Sequence, residues 1–434
     1  MPYDDTMVAA AVGAAKASLE QLSGCLGAEE RARLARQHHA FQRPRALRDP
    51  DTLLLCLLFY VHANASLRWT AWFARVAFGV TITDQSLSER FRLCSGWLQA
   101  LLTAQLAATM RLSIPSRTRL RIVDGSVLCR DGATTTEYRV HMIFDPGACA
   151  PTGVEVTDVK GAEGLDQGTL DARSLVLGDR NYGRYREVEA ARRLHVDLLA
   201  RVHLPTQPMR DAQGAARTPR SFADAADRGE CEHAVQLTRQ RDPWLPARVI
   251  VVPLPPEAAG RARQKVRKEA TKRGRQPDAL TLHLAGYLCL ITTLDAADLG
   301  VKLACSLYRI RWSIECFFKR CKSLCHLGKI RGGDALVRVQ IWARLLSLCH
   351  DEARRPAEAN ELAALGATIG RPPALWRWLQ CLRLIWMAPL AMLAAIGASR
   401  VPTSSQDAIL RERPRRRGRR ACLDAFITLA PDPA

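Results

Sequence analysis

Residues 119–128 read RLRIVDGSVL, and residues 174–183 read SLVLGDRNYG. Each is a short apolar run that reaches an aspartate followed by turn formers: Asp124 before Gly125, and Asp179 before Arg180 and Asn181. Runs of this kind read as strands. In α/β sheets, carboxylates at the carboxyl ends of strands converge on one edge, where sites form. A single Asp at a strand end is usually turn chemistry, but two such ends in one sheet shift that balance.

The chain around these two runs has the texture of one sheet. Residues 137–146 (EYRVHMIFDP) and 153–161 (GVEVTDVKG) are further strand-like runs separated by Pro and Gly. Residues 162–172 (AEGLDQGTLDA) read as a short helix, 185–196 (YREVEAARRLHV) as a helix and 197–204 (DLLARVHL) as another strand. Three strands in succession, then helix and strand in alternation, predict an α/β fold with a mixed central sheet. His141, within the second run, reads as structural.

Residues 205–281 break this pattern with Pro, Arg and polar residues, with strands expected at 234–238 and 246–254. TLHLAGYLCLITTL (281–294) then returns to strand texture, so 205–281 reads as a β-rich, basic insertion. Before the sheet, residues 1–115 look helical, with Thr83 or Asp84 as a cap. The helices near Arg90 and Arg92 fit either a DNA-reading unit with those arginines exposed or an ordinary helical hairpin. From Ala297 one long helix is expected to run to about Leu327. Helices then continue to Ile396, and a basic tail closes the chain. The division is thus 1–115, a helical region and candidate for DNA binding; 116–204 with 282–355, the α/β core that carries both aspartates; 205–281, the insertion; and 356–434, a helical region with the tail.

The charge has a direction. The 434 residues carry 63 Lys and Arg against 43 Asp and Glu, a formal +20. Much of the excess lies in 261–275 (RARQKVRKEATKRGR) and 411–420 (RERPRRRGRR). One such run alone is as often a solvated segment; two on a basic chain favour nucleic acid. The apolar runs at Leu53–Val61 and Leu384–Ile396 fall short of the roughly 18–20 residues of a membrane span, so no membrane partner is expected. The start, MPYDDT, is acidic and carries no basic segment ahead of an apolar one, so no export signal is read and a cytoplasmic protein is expected. The 14 cysteines then read as reduced core thiols. Cys316, Cys321, Cys325 and His326 lack the paired spacing of a zinc site.

A third carboxylate lies in residues 307–324, LYRIRWSIECFFKRCKSL. With Tyr308 at zero on a helix, Arg311 falls near 300°, Glu315 near 340° and Lys322 near 320°, at about 100° per residue. Leu307, Ile310, Ile314 and Phe317 take the opposite arc. A solvated stripe is the ordinary fate of such a face, but it does not explain one acid set among bases.

The pattern Tyr308-x2-Arg311-x3-Glu315-x6-Lys322 resembles the Tyr-Arg-Glu-Lys signature of bacterial insertion-sequence transposases with a DDE triad. IVDGS around Asp124 is similar to that family's first motif and LGDRNYG around Asp179 to its second. The likeness covers about residues 118–350, and Asn181 stands where related proteins more often carry Gly. The resemblance implies a ribonuclease H-like core with a mainly β insertion between the second Asp and the Glu, where residues 205–281 fall. It implies catalytic, metal-binding roles for Asp124, Asp179 and Glu315. Three carboxylates suit two Mg2+ ions, with Mn2+ as a substitute, for in-line phosphoryl transfer.

Tyr308, Arg311, Lys319 and Lys322 are then expected at the DNA, with Arg201 at a family position near it. Trp244 in RDPWLPARV is a candidate to stack on a flipped base, against core packing of the insertion. The expected partners are double-stranded transposon ends and target, with a homodimer in the synaptic complex. The competing readings are an inactive DNA-binding derivative or regulator, and a related ribonuclease H-like nuclease.

Overall fold

The computed structural model describes residues 5–22, 26–111, 119–147, 150–239, 242–354, 387–388 and 390–392. The expected C-terminal helices and the basic run at 411–420 thus lie almost wholly outside the described residues. The chain divides into two compact units, one of residues 1–105, 324–326 and 330 onward, the other of residues 106–323 and 327–329.

The first unit is helical: α1 (Asp5–Leu22), α2 (Ala28–Gln37), α3 (Pro50–His62), α4 (Leu67–Phe78) and α5 (Asp84–Arg92), with the start of α6 (Ser95–Arg111). Helix α3 is apolar on all sides, and Leu53 through Phe59 are all buried; such a helix belongs in the middle of its unit. Asp49 caps it by accepting from the Thr52 amide at 2.8 Å, with Pro50 at the first helical position. Phe59 stacks on Phe73 of α4 at 4.0 Å between centroids. Of the two caps the sequence offers for α5, Thr83 is the one used, accepting from the Ser86 amide. Arg90 is half-buried over Phe41, and its guanidinium donates to the Arg43 carbonyl; Arg92 is exposed.

The second unit is built on one ten-stranded sheet. Strands β1 (Leu120–Leu128), β2 (Tyr138–Asp145) and β3 (Ala150–Asp158) form an antiparallel meander. β4 (Leu175–Gly178) then runs parallel to β1, and β5 (Asp197–Arg201), reached through α7 (Tyr185–Arg193), runs parallel to β4. The order β3-β2-β1-β4-β5 is the mixed sheet that the strand succession predicts, and it fits the ribonuclease H-like core that the family resemblance implies. Residues 162–172, expected as a short helix, are turns. Gly161, Gly164 and Gly168 punctuate them, Gly168 with a φ of +146°.

The insertion adds β6 (Met209–Arg210), β7 (Ala216–Arg217), α8 (Pro219–Asp227), β8 (Glu232–Leu237), β9 (Leu245–Pro253), α9 (Pro256–Lys272) and α10 (Ala279–Leu284). It does not form a sheet of its own. β10 (Tyr287–Thr292) lies between β5 and β9, antiparallel to both, so the insertion's strands continue the core sheet as β9-β8-β6-β7. One apolar cluster accordingly joins Val176, Val188 and Leu198 of the core to Phe222, Val235 and Val249 of the insertion. The start of TLHLAGYLCLITTL is helical, because Asp278 caps α10 from the Thr281 amide at 2.7 Å.

The expected long helix from Ala297 is two helices, α11 (Val301–Ile310) and α12 (Trp312–Leu324). At the junction Arg311 N donates to Tyr308 O and Ile314 N to Arg311 O, bonds one residue shorter than an α-helix makes, and the turn tightens. The break leaves Ile310 exposed, although a continuous helix would align it with the apolar Ile314 and Phe317. The chain returns to the first unit in α13 (Asp334–Arg354), which packs against α3 and α5. Among the described residues no helix is long and apolar enough to cross a membrane.

Candidate active site

Pairing of β1 with β4 ends at Ile122 and Leu177. Two residues further on each strand stand Asp124 and Asp179, on the same face by the two-residue period. Asp124 is not at a strand end, since β1 continues to Leu128 against β2; it is where β1 runs past its parallel neighbour. Both carboxylates are anchored locally, Asp124 Oδ1 by the Gly125 amide at 2.8 Å and Asp179 Oδ1 by the Asn181 amide at 2.7 Å.

The third acid reaches this pair through a cation. Arg311 Nη1 lies 3.9 Å from Asp124 Oδ2, and Arg311 Nη2 donates to Glu315 Oε1. The helix break makes this possible, since it sets Arg311 between α11 and α12 with its side chain only 15% exposed. Burial opposes the Arg311 charge, yet Tyr308, Glu315 and Asp124 together hold its pKa above the ordinary value. Its guanidinium lies 5.7 Å from the centre of the Tyr308 ring, and its buried Nε has no hydrogen-bond partner among the described residues.

Burial, and next the charge of Asp179, push the Asp124 carboxyl up to about 7, with Glu163 adding to the effect. Glu163 is a fourth acid that the sequence pattern did not single out. It accepts from Asn181 Nδ2 at 2.7 Å and lies 3.8 Å from Arg139 Nε. It also packs so close to Gly125 that a Cβ there would come within 2.8 Å of its Cγ. The signal that would have found it is the Gly spacing around it, which argues against a helix and for a turn folded back on β1. Asn181 has no need of glycine's freedom, for its φ is not positive. Its side chain instead links Glu163 to the Asp179 turn and accepts from Arg184 at 3.0 Å. Gly183 is required for a different reason, as a Cβ there would lie 2.0 Å from the Arg201 carbonyl oxygen.

The other expected residues divide. Arg201, at the end of β5, and Arg180 share an electrostatic neighbourhood with Tyr308 and Asp179. Burial raises the Tyr308 pKa. Lys319 and Lys322 are exposed on α12, and Lys319 Nζ lies 4.9 Å from the Trp312 ring centre. Trp244, between β8 and β9, is 37% exposed with the Arg210 guanidinium 4.0 Å from its ring centre. His141 bonds Thr157 Oγ1 at 2.9 Å, and burial lowers its pKa to about 4, as suits a structural imidazole.

The donor set at the sheet edge is all carboxylate oxygen, which suits hard cations such as Mg2+. Asp124 and Asp179 meet that chemistry directly, and Asp124's raised pKa reflects burial first and the charge of Asp179 second, both of which a cation would offset. Glu315 is engaged by Arg311, and among the described residues no three acid, His or Cys side chains are close enough together to form a ready-made ligand group.

The ribonuclease H-like sheet carries Asp124 and Asp179 just past the end of its parallel β1–β4 pairing, and Glu315 stands on α12. The family described as "Transposase DDE domain" matches residues 115–349. A putative transposase InsL for insertion sequence element IS186A of Escherichia coli K12 is 33% identical over 323 residues, 72% of this chain and 87% of its own length. The transposase for insertion sequence element IS421 of Escherichia coli is 33% identical over 324 residues, with the same coverage. The chain belongs to the DDE transposase family, whose members cut DNA and transfer its strands.

Proposed function

We propose that the protein binds the inverted-repeat ends of an insertion sequence and catalyses Mg2+-dependent cleavage and strand transfer, with Asp124, Asp179 and Glu315 as the metal-binding carboxylates. The observation that carries this reading is the placement of Asp124 and Asp179 side by side past the end of the β1–β4 pairing, with Glu315 joined to Asp124 through Arg311.

Two Mg2+ ions held by these acids would supply a polarised phosphate and an activated oxygen nucleophile. The protein's own part is to fix the carboxylates on a rigid sheet edge and to bring cations to the strand. Arg311, with its unpartnered Nε, turns from Asp124 and Glu315 to a DNA phosphate once the acids are neutralised. Arg201 and Tyr308 flank the same edge, while Lys319 and Lys322 meet the strand further along α12. Trp244, with Arg210 already on its ring, offers a face for an unstacked base. Cleavage breaks a phosphodiester by in-line attack of water and leaves a 3′-hydroxyl. In strand transfer that hydroxyl attacks a target phosphate and displaces the target strand's 3′-oxygen. The working species is a homodimer holding two ends, in the cytoplasm.

The test is Mg2+-dependent cleavage of DNA carrying the element's inverted repeats by Asp124→Ala, Asp179→Ala and Glu315→Ala. Each is expected to lose activity by at least about 100-fold, the scale on which catalytic charges act. Near-native cleavage by any one removes that residue from the site. Arg311→Ala and Lys322→Ala are expected to weaken end binding or strand transfer while the fold persists.

A further inference from the structure

The basic stretch at 261–275, singled out in the sequence, plays no part in the triad. The structure makes most of it the helix α9, and only Ala259 of that helix is buried. The pattern along the helix is ordered. With Arg261 at zero, Lys265 falls at about 40°, Lys268 at about 340° and Lys272 at about 20°. These four cations form one stripe within about 60° that rises about 16 Å along the axis. All four are exposed. Among the described residues only Arg261 has an ion-pair partner, the exposed Glu257 at 3.6 Å. Arg273 and Arg275 prolong the charge beyond the helix, and both are exposed. The remaining face is small and apolar (Ala258, Ala262, Val266, Ala270) and only half-buried; Arg263 beside it turns inward to the Leu282 carbonyl at 3.3 Å.

A row of four exposed cations, three of them without an ion-pair partner among the described residues, on a straight rod fits a row of phosphates. Over about 16 Å one strand of a DNA duplex presents roughly five phosphates at about 3.4 Å of axial rise each. The helix has no aromatic side chain on which unpaired bases would stack, which speaks against a single strand. It lacks the Trp, Phe and Leu that seat a basic helix in a bilayer, which speaks against a lipid surface.

We propose that α9 is a second DNA-binding surface, separate from the carboxylate edge, in which Arg261, Lys265, Lys268 and Lys272 grip the duplex backbone without reading sequence. The inference rests on the DNA-binding reading above and adds a site to it. Phosphate binding of this kind sets affinity and salt dependence and leaves the choice between sequences untouched.

The experiment compares the full-length wild type with Arg261→Ala/Lys265→Ala/Lys268→Ala/Lys272→Ala. Alanine keeps the helix, and circular dichroism checks the fold. Binding to a duplex bearing the inverted repeat, and to a random duplex of equal length, is titrated from about 50 to 200 mM salt. The expected result is weaker binding to both duplexes by the same factor. The slope of log affinity against log salt should become shallower by about 3 to 4, at about 0.9 for each phosphate no longer neutralised. Wild-type binding together with an unchanged slope in the folded variant overturns the proposal while leaving the transposase reading intact. Weakening confined to the inverted-repeat duplex also overturns it, since that would be sequence readout. Weakening confined to phosphatidylserine vesicles, with DNA binding unchanged, overturns it in favour of a lipid surface. A wild type that binds neither duplex sinks both readings together.

Discussion

At the residue scale, burial works against the negative charge of Asp124. Asp124 titrates at about 7 instead of near its ordinary value, chiefly through burial and then through Asp179. A carboxyl whose pKa is raised by folding stabilises the protein fully below the unfolded value, and that contribution is lost as pH climbs through the folded one. In metal-free protein, Asp124→Asn is therefore expected to raise stability at pH 8 by on the order of 1–2 kcal/mol and to change it little at pH 4. Urea denaturation at the two pH values measures this, and equal effects at both would contradict the burial argument. The same substitution should abolish cleavage. Glu163→Gln keeps an acceptor for Asn181 but removes a charge beside Asp124, so the Asp124 midpoint should fall below 7 in a carboxyl NMR titration. Glu163→Ala should add a cost of about 1 kcal/mol from the Asn181 amide left without its partner.

At the element scale, the helices and strands follow local rules wherever those rules are strong. Asp49, Ser66, Thr83, Thr218 and Asp278 each cap the helix that begins after them. Where the local signal was ambiguous, long-range interactions decided. Residues 162–172, expected as a short helix, fold as turns that send Glu163 to Asn181 and Leu165 to Glu187, 18 and 22 residues away. The single helix expected through Tyr308 and Glu315 breaks at Arg311, whose side chain lies 3.9 Å from Asp124 on β1, and no periodicity within the segment reports that neighbour. In the first unit Arg31, 1% exposed, pairs with Asp51 of α3 at 2.6 Å. Asp51→Ala strands a buried guanidinium and is expected to cost about 3–5 kcal/mol in denaturant unfolding. A cost below about 1 kcal/mol would mean that water reaches Arg31 in its place.

At the scale of the whole molecule, the insertion and the core are one sheet with one apolar cluster. Deleting residues 205–281 with a short linker strips β9 from β10 and leaves a long apolar edge exposed. The shortened protein is expected to aggregate, as read by its soluble yield and its elution on size exclusion; a soluble, folded core would show that the insertion is a separate domain. The α/β class, the strand succession around Asp124 and Asp179, the helical first unit and the basic stretch of α9 were all legible in the order of the amino acids, because they depend on neighbours within roughly one or two turns or strand lengths. That Glu163 stands beside Asp124, that Arg311 ties β1 to α12, and that the insertion's strands continue the core sheet emerged only on folding. Those outcomes depend on which distant groups share a low-dielectric neighbourhood and which strand edges must be covered, and neither quantity is written in local spacing.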